Sequence, residues 1–134
     1  MKYKILLVGA GQLGSRYLQG IKKLKLDVDV YVVDINQESL DISKDRWSSI
    51  ETKYNQNCFF YRRYPTKIKT FDLAIISTTA NVRLDVVTKV LSYFKVKNWI
   101  LEKLLAQNSS DILEISHLLK NDKAWVNTCD RTFE

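Results

Sequence analysis

The chain has 134 residues, of which 46% are hydrophobic and 27% are charged, and its formal net charge is +6. This length allows one domain with a substantial core but not two, and the composition excludes an intrinsically disordered chain. The lysines and arginines are scattered rather than gathered in a long block, so a mildly basic, solvated surface is favoured over nucleic-acid binding.

Cysteine usage and apolar run lengths bear on the compartment. Cys58 and Cys129 are far apart and neither belongs to a C-x-x-C pair, which argues against a structural disulfide or a metal site. No stretch approaches ~18 apolar residues, and the apolar run after the basic N-terminus is too short for a secretory signal. We therefore expect a cytoplasmic protein that does not span a membrane.

The hydrophobic pattern alternates between strand-like and helix-like segments. Strands are predicted at residues 3–9, 28–34, 58–61, 71–78, 98–102 and 124–128. Helices are predicted at residues 12–25, 37–50 and 82–94, with a fourth helix capped by Ser109 or Ser110. This alternation predicts a single α/β domain whose doubly wound, mostly parallel sheet has about six strands and helices on both faces.

Three local expectations accompany this fold. A short helical turn is expected after Pro65, because residues 62–70 are only just enough for a crossover between parallel strands. His117 is expected on the solvent side of the fourth helix. The tryptophans fall within periodic segments and are expected to pack in the core: Trp47, Trp99 and Trp125.

The first strand runs into the sequence VGAGQLG, which carries a G-x-G-x-x-G motif at Gly9, Gly11 and Gly14. A strand before the motif and a helix after it favour a dinucleotide site over a simple turn. In such a site the first glycine permits the tight turn, the second admits a pyrophosphate, and the third lets the helix pack closely on the sheet. Free N–H groups at the helix start would face the phosphates. The predicted cofactor contacts here are Gly9, Ala10, Gly11, Gln12, Leu13 and Gly14.

An acidic residue follows at the distance that this motif requires. Asp34 ends the second predicted strand, about twenty positions after the last glycine, where a carboxylate accepts hydrogen bonds from the adenosine ribose. The same carboxylate would repel the extra phosphate of NADP, and neighbouring Ile35 and Asn36 supply no cation to offset this. NAD is therefore favoured over NADP, with Asp34 and Ile35 among the predicted contacts. The alternative is that the glycines only form a turn and Asp34 is a surface acid.

Four stretches of the chain resemble one oxidoreductase family. They are GQLGSRYLQGI (11–21), ISTTANVR (76–83), LEKLLA (101–106) and VNTCDRTF (126–133). Together they are similar to the N-terminal NAD(P)-binding Rossmann domain of the glucose-fructose oxidoreductase/inositol dehydrogenase/MocA family. The resemblance covers essentially the whole chain, but only the cofactor half of the family's enzymes.

The resemblance implies roles for residues of the second half. In the family, a Glu-Lys-Pro signature follows the fifth strand, and its lysine assists proton transfer at the carbon being oxidised or reduced. Carried across, Lys103 is the candidate catalytic lysine and Glu102 its neighbour near the nicotinamide ribose. The residues implied to line the nicotinamide side are Ser77, Thr78, Thr79 and Asn81. The implied reaction is hydride transfer between NAD and a secondary alcohol or carbonyl of a sugar, a nucleotide sugar, a cyclitol or a related small molecule.

The sequence also departs from the family. Leu104 replaces the signature proline, so the strained peptide that proline helps to set is expected to be absent. The histidine usual after the fourth strand is missing, and Arg83 and Asp85 occupy that neighbourhood. The chain ends at Glu134, where the family begins a second domain that supplies the substrate pocket and often the oligomer interface. We therefore expect residues 1–134 to bind the cofactor without efficient turnover.

Some alternatives stay open at this point. Glu102 and Lys103 could be an exposed loop pair, and the chain could be a regulatory nucleotide-sensing module of the potassium-uptake type. The cluster Tyr61-Arg62-Arg63-Tyr64 could contact the adenine or a phosphate, or be a solvated strand end. Arg131 matches an arginine common near the family's domain junction.

Overall fold

The computed structural model describes residues 1–128. Its strands are β1 (Tyr3–Val8), β2 (Val28–Val33), β3 (Gln56–Tyr61), β4 (Thr70–Phe71), β5 (Leu73–Ile76), β6 (Lys95–Val96), β7 (Asn98–Glu102) and β8 (Lys123–Asn127). Six of them form one sheet in the order β3-β2-β1-β5-β7-β8, and every neighbouring pair is parallel. Strands β4 and β6 pair only with each other in a small parallel ladder. The predicted doubly wound parallel sheet is confirmed.

The helices are α1 (Gln12–Lys22), α2 (Gln37–Ser48), α3 (Arg83–Tyr93) and α4 (Ser109–Leu118), and a 3₁₀ turn at Ala80–Val82 leads into α3. Apolar side chains of α1 and α2 join alternate strand residues in one core cluster, and those of α3 and α4 join the other alternation in a second. The sheet is therefore covered on both faces, which explains why its central strands read as continuous apolar runs. No helix within residues 1–128 is long and apolar enough to cross a membrane.

The crossover from β3 to β5 differs from the prediction, because residues 62–69 form bends and no helical turn follows Pro65. The segment must pass three strand spacings, about 14 Å, and return along the strands. The connection to β5 holds residues 62–72, of which Thr70 and Phe71 form the extended strand β4. The eight residues before β4 reach about 26–29 Å when extended, and a helical turn at about 1.5 Å per residue would shorten this reach.

Two further expectations about single residues were wrong. Trp47 and Trp99 are buried as predicted, but Trp125 is 56% exposed, because it lies on the edge strand β8, whose residues are mostly exposed. The cap of α4 is Asn108 rather than a serine, since its side chain accepts a hydrogen bond from the Asp111 N–H at 2.8 Å. His117 is exposed, as expected.

The carboxyl ends of β1, β2 and β5 define the part of the sheet that matters for ligands. After β1 the chain turns into α1 on one side of the strand order, and β5 continues the order on the other side. Such a switch in strand order opens a crevice beyond the carboxyl ends, where ligands bind in open α/β sheets.

Candidate cofactor site

The turn out of β1 depends on two glycines that touch the neighbouring strand end. Gly9 has a φ of +93°, and a Cβ added there would lie 2.8 Å from the Thr78 nitrogen. A Cβ added at Gly14 would lie 1.9 Å from the Gly9 carbonyl oxygen and 2.7 Å from Ser77 Oγ. The close packing predicted for Gly14 is therefore confirmed, whereas the contact of these residues with a cofactor stays a prediction.

Gly11 is different, because its neighbourhood is open. A Cβ built there meets nothing within 4 Å, and the backbone is extended with φ at −67° and ψ at −162°. Neither packing nor backbone conformation therefore requires glycine at this position. A bound group that approaches the backbone closely would require it, which is the reason the motif gives for its second glycine.

The start of α1 lacks the groups that usually satisfy a helix N-terminus. Gly11 offers no side-chain cap and the first turn holds no acidic residue. By contrast, Asn36 caps α2 by accepting from the Ser39 N–H at 3.0 Å, and Asn108 caps α4 in the same way. The first N–H groups of a helix have no acceptor within the helix. At α1 neither a side-chain cap nor an acidic residue takes them up, an arrangement that can bind an anion.

Side chains of α2 donate hydrogen bonds to backbone carbonyls of the glycine turn, a contact that was not predicted from the sequence. Ser43 Oγ donates to the Ala10 carbonyl at 3.1 Å, and Arg46 Nη1 donates to the Gln12 carbonyl at 3.2 Å and to the Ser15 hydroxyl. With these carbonyls engaged, the backbone orientation of the turn is fixed. A serine and an arginine one turn apart are common on helix surfaces, so the local sequence carried no signal for these contacts.

Asp34 lies at the end of β2, half-buried, and its carboxylate already joins two backbone segments. Oδ2 accepts from the Ala10 N–H at 2.7 Å, and Oδ1 accepts from the Asn36 N–H at 2.8 Å. Asp34 is thus engaged by the backbone, while its contact with a ribose stays a prediction. Each carboxylate oxygen keeps further acceptor capacity for hydroxyl groups.

Two arginines that follow β3, Arg62 and Arg63, lie near the loop after β2. The expectation of no cation beside Asp34 considered only Ile35 and Asn36. The Arg62 guanidinium donates from Nε and Nη2 to the Ile35 carbonyl at 3.2 and 3.1 Å. Arg62, Arg63 and Tyr64 line the crevice together with Asp34. The basic-aromatic cluster thus lies beside the loop that follows β2, with both arginines exposed.

The segment after β5 sits directly against the glycine turn. Ser77 Oγ donates to the Gly9 carbonyl at 2.6 Å, and the Thr79 hydroxyl donates to Asn81 Oδ1 at 2.5 Å. Thr78 lines the crevice, and its buried hydroxyl has no hydrogen-bond partner among the described residues.

Glu102 and Lys103 differ from each other in surroundings. Glu102 is only 4% exposed, and its carboxylate accepts from the Tyr17 hydroxyl and from Asn127 Nδ2, the latter at 2.8 Å. Lys103 is exposed. The interpretation of the two as an exposed loop pair is therefore wrong for Glu102. The Lys103–Leu104 peptide is cis although residue 104 is not proline, contrary to the expectation from the missing proline.

Arg83 lies in the neighbourhood where a histidine is usual in the family that the sequence resembles, and it is 1% exposed. Its guanidinium donates to backbone carbonyls of Thr78, Glu102 and Leu104. Burial lowers the pKa of Arg83, and the negative charge of Glu102 opposes this shift. The guanidinium remains protonated because its ordinary pKa is so high.

The crevice at the switch point has a volume of about 660 Å³. Among the predicted site residues, Gly9, Asp34, Ile35 and Thr78 line it. Glu102 is not part of this lining and instead meets α1 through Tyr17. The predicted residues thus form two neighbouring groups, one around the glycine turn and Asp34, the other after β7. Cys129 and Arg131 lie outside the described residues.

The comparisons with known proteins give structural relatives only. No model of a known protein family matches the sequence, and no curated protein matches it. The structure is similar to myo-inositol 2-dehydrogenase from Lactobacillus plantarum, with a TM-score of 0.73 and 15% identity over 100% of this chain and 38% of that chain.

Two further solved structures illustrate the same likeness. The dehydrogenase WlbA from Chromobacterium violaceum, in complex with NADH and UDP-GlcNAcA, matches with a TM-score of 0.74 and 17% identity over 97% of this chain and 36% of that chain. A Gfo/Idh/MocA family oxidoreductase from Vibrio cholerae matches with a TM-score of 0.69 and 17% identity over 93% of this chain and 38% of that chain.

This chain therefore spans under two-fifths of the length of the structures it matches. The similarity first noted in the sequence is found again in the structure, among NAD(P)-dependent oxidoreductases. At these identities, what the likeness shows is the fold, a Rossmann domain.

Proposed function

We propose that this chain is the NAD-binding domain of an oxidoreductase of the glucose-fructose oxidoreductase/inositol dehydrogenase/MocA type. The observation that carries the proposal is the uncapped start of α1 beside the Asp34 carboxylate. A diphosphate supplies the negative charge that this helix start lacks, and a ribose supplies the hydroxyls that the carboxylate can bind. The adjoining crevice, about 660 Å³, is of a size typical for small-molecule sites.

Each predicted contact has a role in this proposal. The backbone from Gly9 to Gly14 binds the pyrophosphate, and Asp34 and Ile35 hold the adenosine ribose. Ser77, Thr78, Thr79 and Asn81 lie on the nicotinamide side. Arg62 and Tyr64 border the position left for the adenine, where a planar guanidinium and a ring can stack on a base.

Lys103 is the proposed catalytic residue. When bound, the nicotinamide accepts or gives a hydride at C4. Lys103 takes the hydroxyl proton as the alcohol is oxidised and returns it when the carbonyl is reduced. Glu102, held by Tyr17 and Asn127, fixes the backbone from which Lys103 extends.

The proposed substrate is a small molecule with a secondary alcohol, such as a cyclitol, a sugar or a nucleotide sugar. The structural relatives support this class, because one is named an inositol dehydrogenase and another was solved with NADH and UDP-GlcNAcA. The whole protein's reaction, including any second domain, is part of this proposal.

The test is a calorimetric titration of the chain with NADH and NADPH, for the wild type and Asp34→Asn. We expect the wild type to bind NADH more tightly, and the variant to lose NADH affinity while losing little NADPH affinity. Asp41→Asn, an exposed residue of α2, is the control for the change in charge.

Three results would count against the proposal. Absence of NADH binding by the wild type contradicts the dinucleotide site, and equal affinity for both dinucleotides contradicts the preference for NAD. If Lys103→Ala in the full-length protein leaves dehydrogenase activity intact, the catalytic role is wrong and a nucleotide-sensing module is favoured.

A further inference from the structure

We propose that Arg83 is a positioning residue that joins the two loops of the nicotinamide side and thereby fixes the direction in which Lys103 extends. This inference rests on the proposed function. It concerns a residue at which the chain departs from the family it resembles.

Arg83 reaches both loops from one position at the start of α3. One terminal nitrogen, Nη2, donates to the Thr78 carbonyl after β5. The other, Nη1, donates to the Glu102 and Leu104 carbonyls after β7, with the Leu105 carbonyl further off at 3.4 Å. A single side chain thus contacts the segment that carries Ser77 to Asn81 and the segment that carries Lys103.

The two carbonyls on Nη1 flank Lys103 in the sequence. Because the carbonyls of Glu102 and Leu104 accept from the same nitrogen, these bonds restrict the backbone on both sides of Lys103. The orientation of Lys103 relative to the crevice is therefore set by Arg83 as well as by the strand that precedes it.

The sheet does not supply this constraint. The ladder between β5 and β7 ends at the pair Ile76 and Leu101, so Thr78 and Leu104 lie beyond the last paired residues. Arg83 joins Thr78 directly to the backbone on both sides of Lys103. The guanidinium of Arg83 therefore connects the two loops beyond the ends of β5 and β7, where the proposed nicotinamide would lie.

The chemistry of the contact requires arginine. Its planar group presents several N–H donors in a fixed fork, whereas a lysine ammonium is a point charge on a flexible stem. Arg83 is also 1% exposed, so its charge depends on these carbonyls in place of water. Lysine at this position can keep the charge and the bonds to one loop but cannot span both loops.

The experiment separates the nicotinamide side from the rest of the cofactor. Wild type, Arg83→Lys and Arg83→Gln are titrated with NADH and with ADP-ribose, which lacks the nicotinamide, and their thermal unfolding is recorded. We expect Arg83→Lys to bind ADP-ribose within about twofold of the wild type and to lose at least about fivefold in NADH affinity. Lys120→Gln, exposed near the end of α4, is the control for the charge lost in Arg83→Gln.

The other outcomes would overturn the inference. If the variants keep the wild-type ratio of NADH to ADP-ribose affinity, or lose both ligands in equal measure, Arg83 does not act on the nicotinamide side. If both variants are unfolded at 25 °C, the residue acts on the whole fold. If the wild type binds neither ligand, the proposed function itself fails, and that result is distinct from the others.

Discussion

Both ends of the sheet engage many of their polar groups within the chain, and they differ at the start of α1. At the amino end, aspartates that precede the strands are satisfied within the chain. Asp72 accepts from the Lys4 N–H at 2.8 Å and pairs with Lys97, and Asp27 accepts from the Asn55 N–H at 2.8 Å. These contacts tie one strand start to the next and so stabilise the fold.

At the carboxyl end, α1 begins without a cap, while α4 begins at the same end with Asn108 as its cap. The difference is not one of available residues, because Asn and Asp occur throughout the chain. On the function proposed above, the aspartates at the amino end hold the fold and the uncapped start of α1 binds a ligand. Substitutions at the two ends should therefore change different quantities.

The largest expected effect comes from closing the open helix start with Gly11→Asn. The asparagine side chain can accept from the Gly14 N–H, as Asn36 accepts from the Ser39 N–H in α2, and a Cβ at this position meets nothing within 4 Å. We expect stability to stay the same or rise by a few tenths of a kcal/mol. NADH affinity should fall at least about tenfold, since a charge-assisted hydrogen bond contributes roughly 1.5–3 kcal/mol. Unchanged affinity in calorimetry would show that the helix start does not bind the phosphates.

A smaller effect, and on stability alone, is expected from Asp72→Asn. The Lys4 N–H and the Lys97 ammonium lower the pKa of Asp72 below its ordinary value of 3.8. The carboxylate therefore stabilises the folded state above that pH, and this contribution disappears as the pH falls through the folded-state pKa. We expect the free energy of unfolding to drop by about 1 kcal/mol at pH 7, with the curves of variant and wild type converging as the pH falls through the folded-state pKa of Asp72.

Denaturant unfolding across pH measures this difference. A pH-independent difference between the two proteins would contradict the assigned ion pair. A change in NADH affinity in the same variant would contradict the separation of the two ends.

The smallest effect is expected from Gly20→Ala, which is matched to the change at Gly11 because both glycines belong to the α1 region and both have open space around the added Cβ. Gly20 lies inside the helix, where alanine is favoured by about 0.5–1 kcal/mol. A slightly raised melting temperature with unchanged NADH affinity is expected. Loss of NADH affinity in Gly20→Ala would mean that any added methyl group on α1 disturbs binding. The loss in Gly11→Asn could then not be assigned to the helix start.

The alternation of strands and helices could be predicted from the sequence. The central strands are continuous apolar runs, and the helices that cover them have apolar residues at helical spacing. The glycine turn and Asp34 were predictable for a related reason, since their spacing is fixed by one strand-turn-helix-strand unit. The path of residues 62–69 and the exposure of Trp125 were not predictable, because each depends on how far the strand order must be crossed and which strand lies at the edge.

Polar contacts between distant segments were also beyond the sequence. Ser43 contacts the Ala10 carbonyl across 33 positions, and Arg83 contacts the Glu102 carbonyl across 19. Nothing in the local pattern distinguishes these side chains from solvated ones. Their partners become evident only when α2 and α3 are placed against the sheet.

The hydrogen bonds from Ser43 and Arg46 of α2 to the glycine turn affect the kinetics of binding. Because Ser43 and Arg46 already hold the turn's carbonyls, the unliganded backbone is in one arrangement before any ligand arrives. Preorganisation of this kind removes the entropic cost of ordering a loop during association. Binding of a dinucleotide would then need no slow rearrangement of the turn. Differences in its affinity would arise mainly from differences in its dissociation rate.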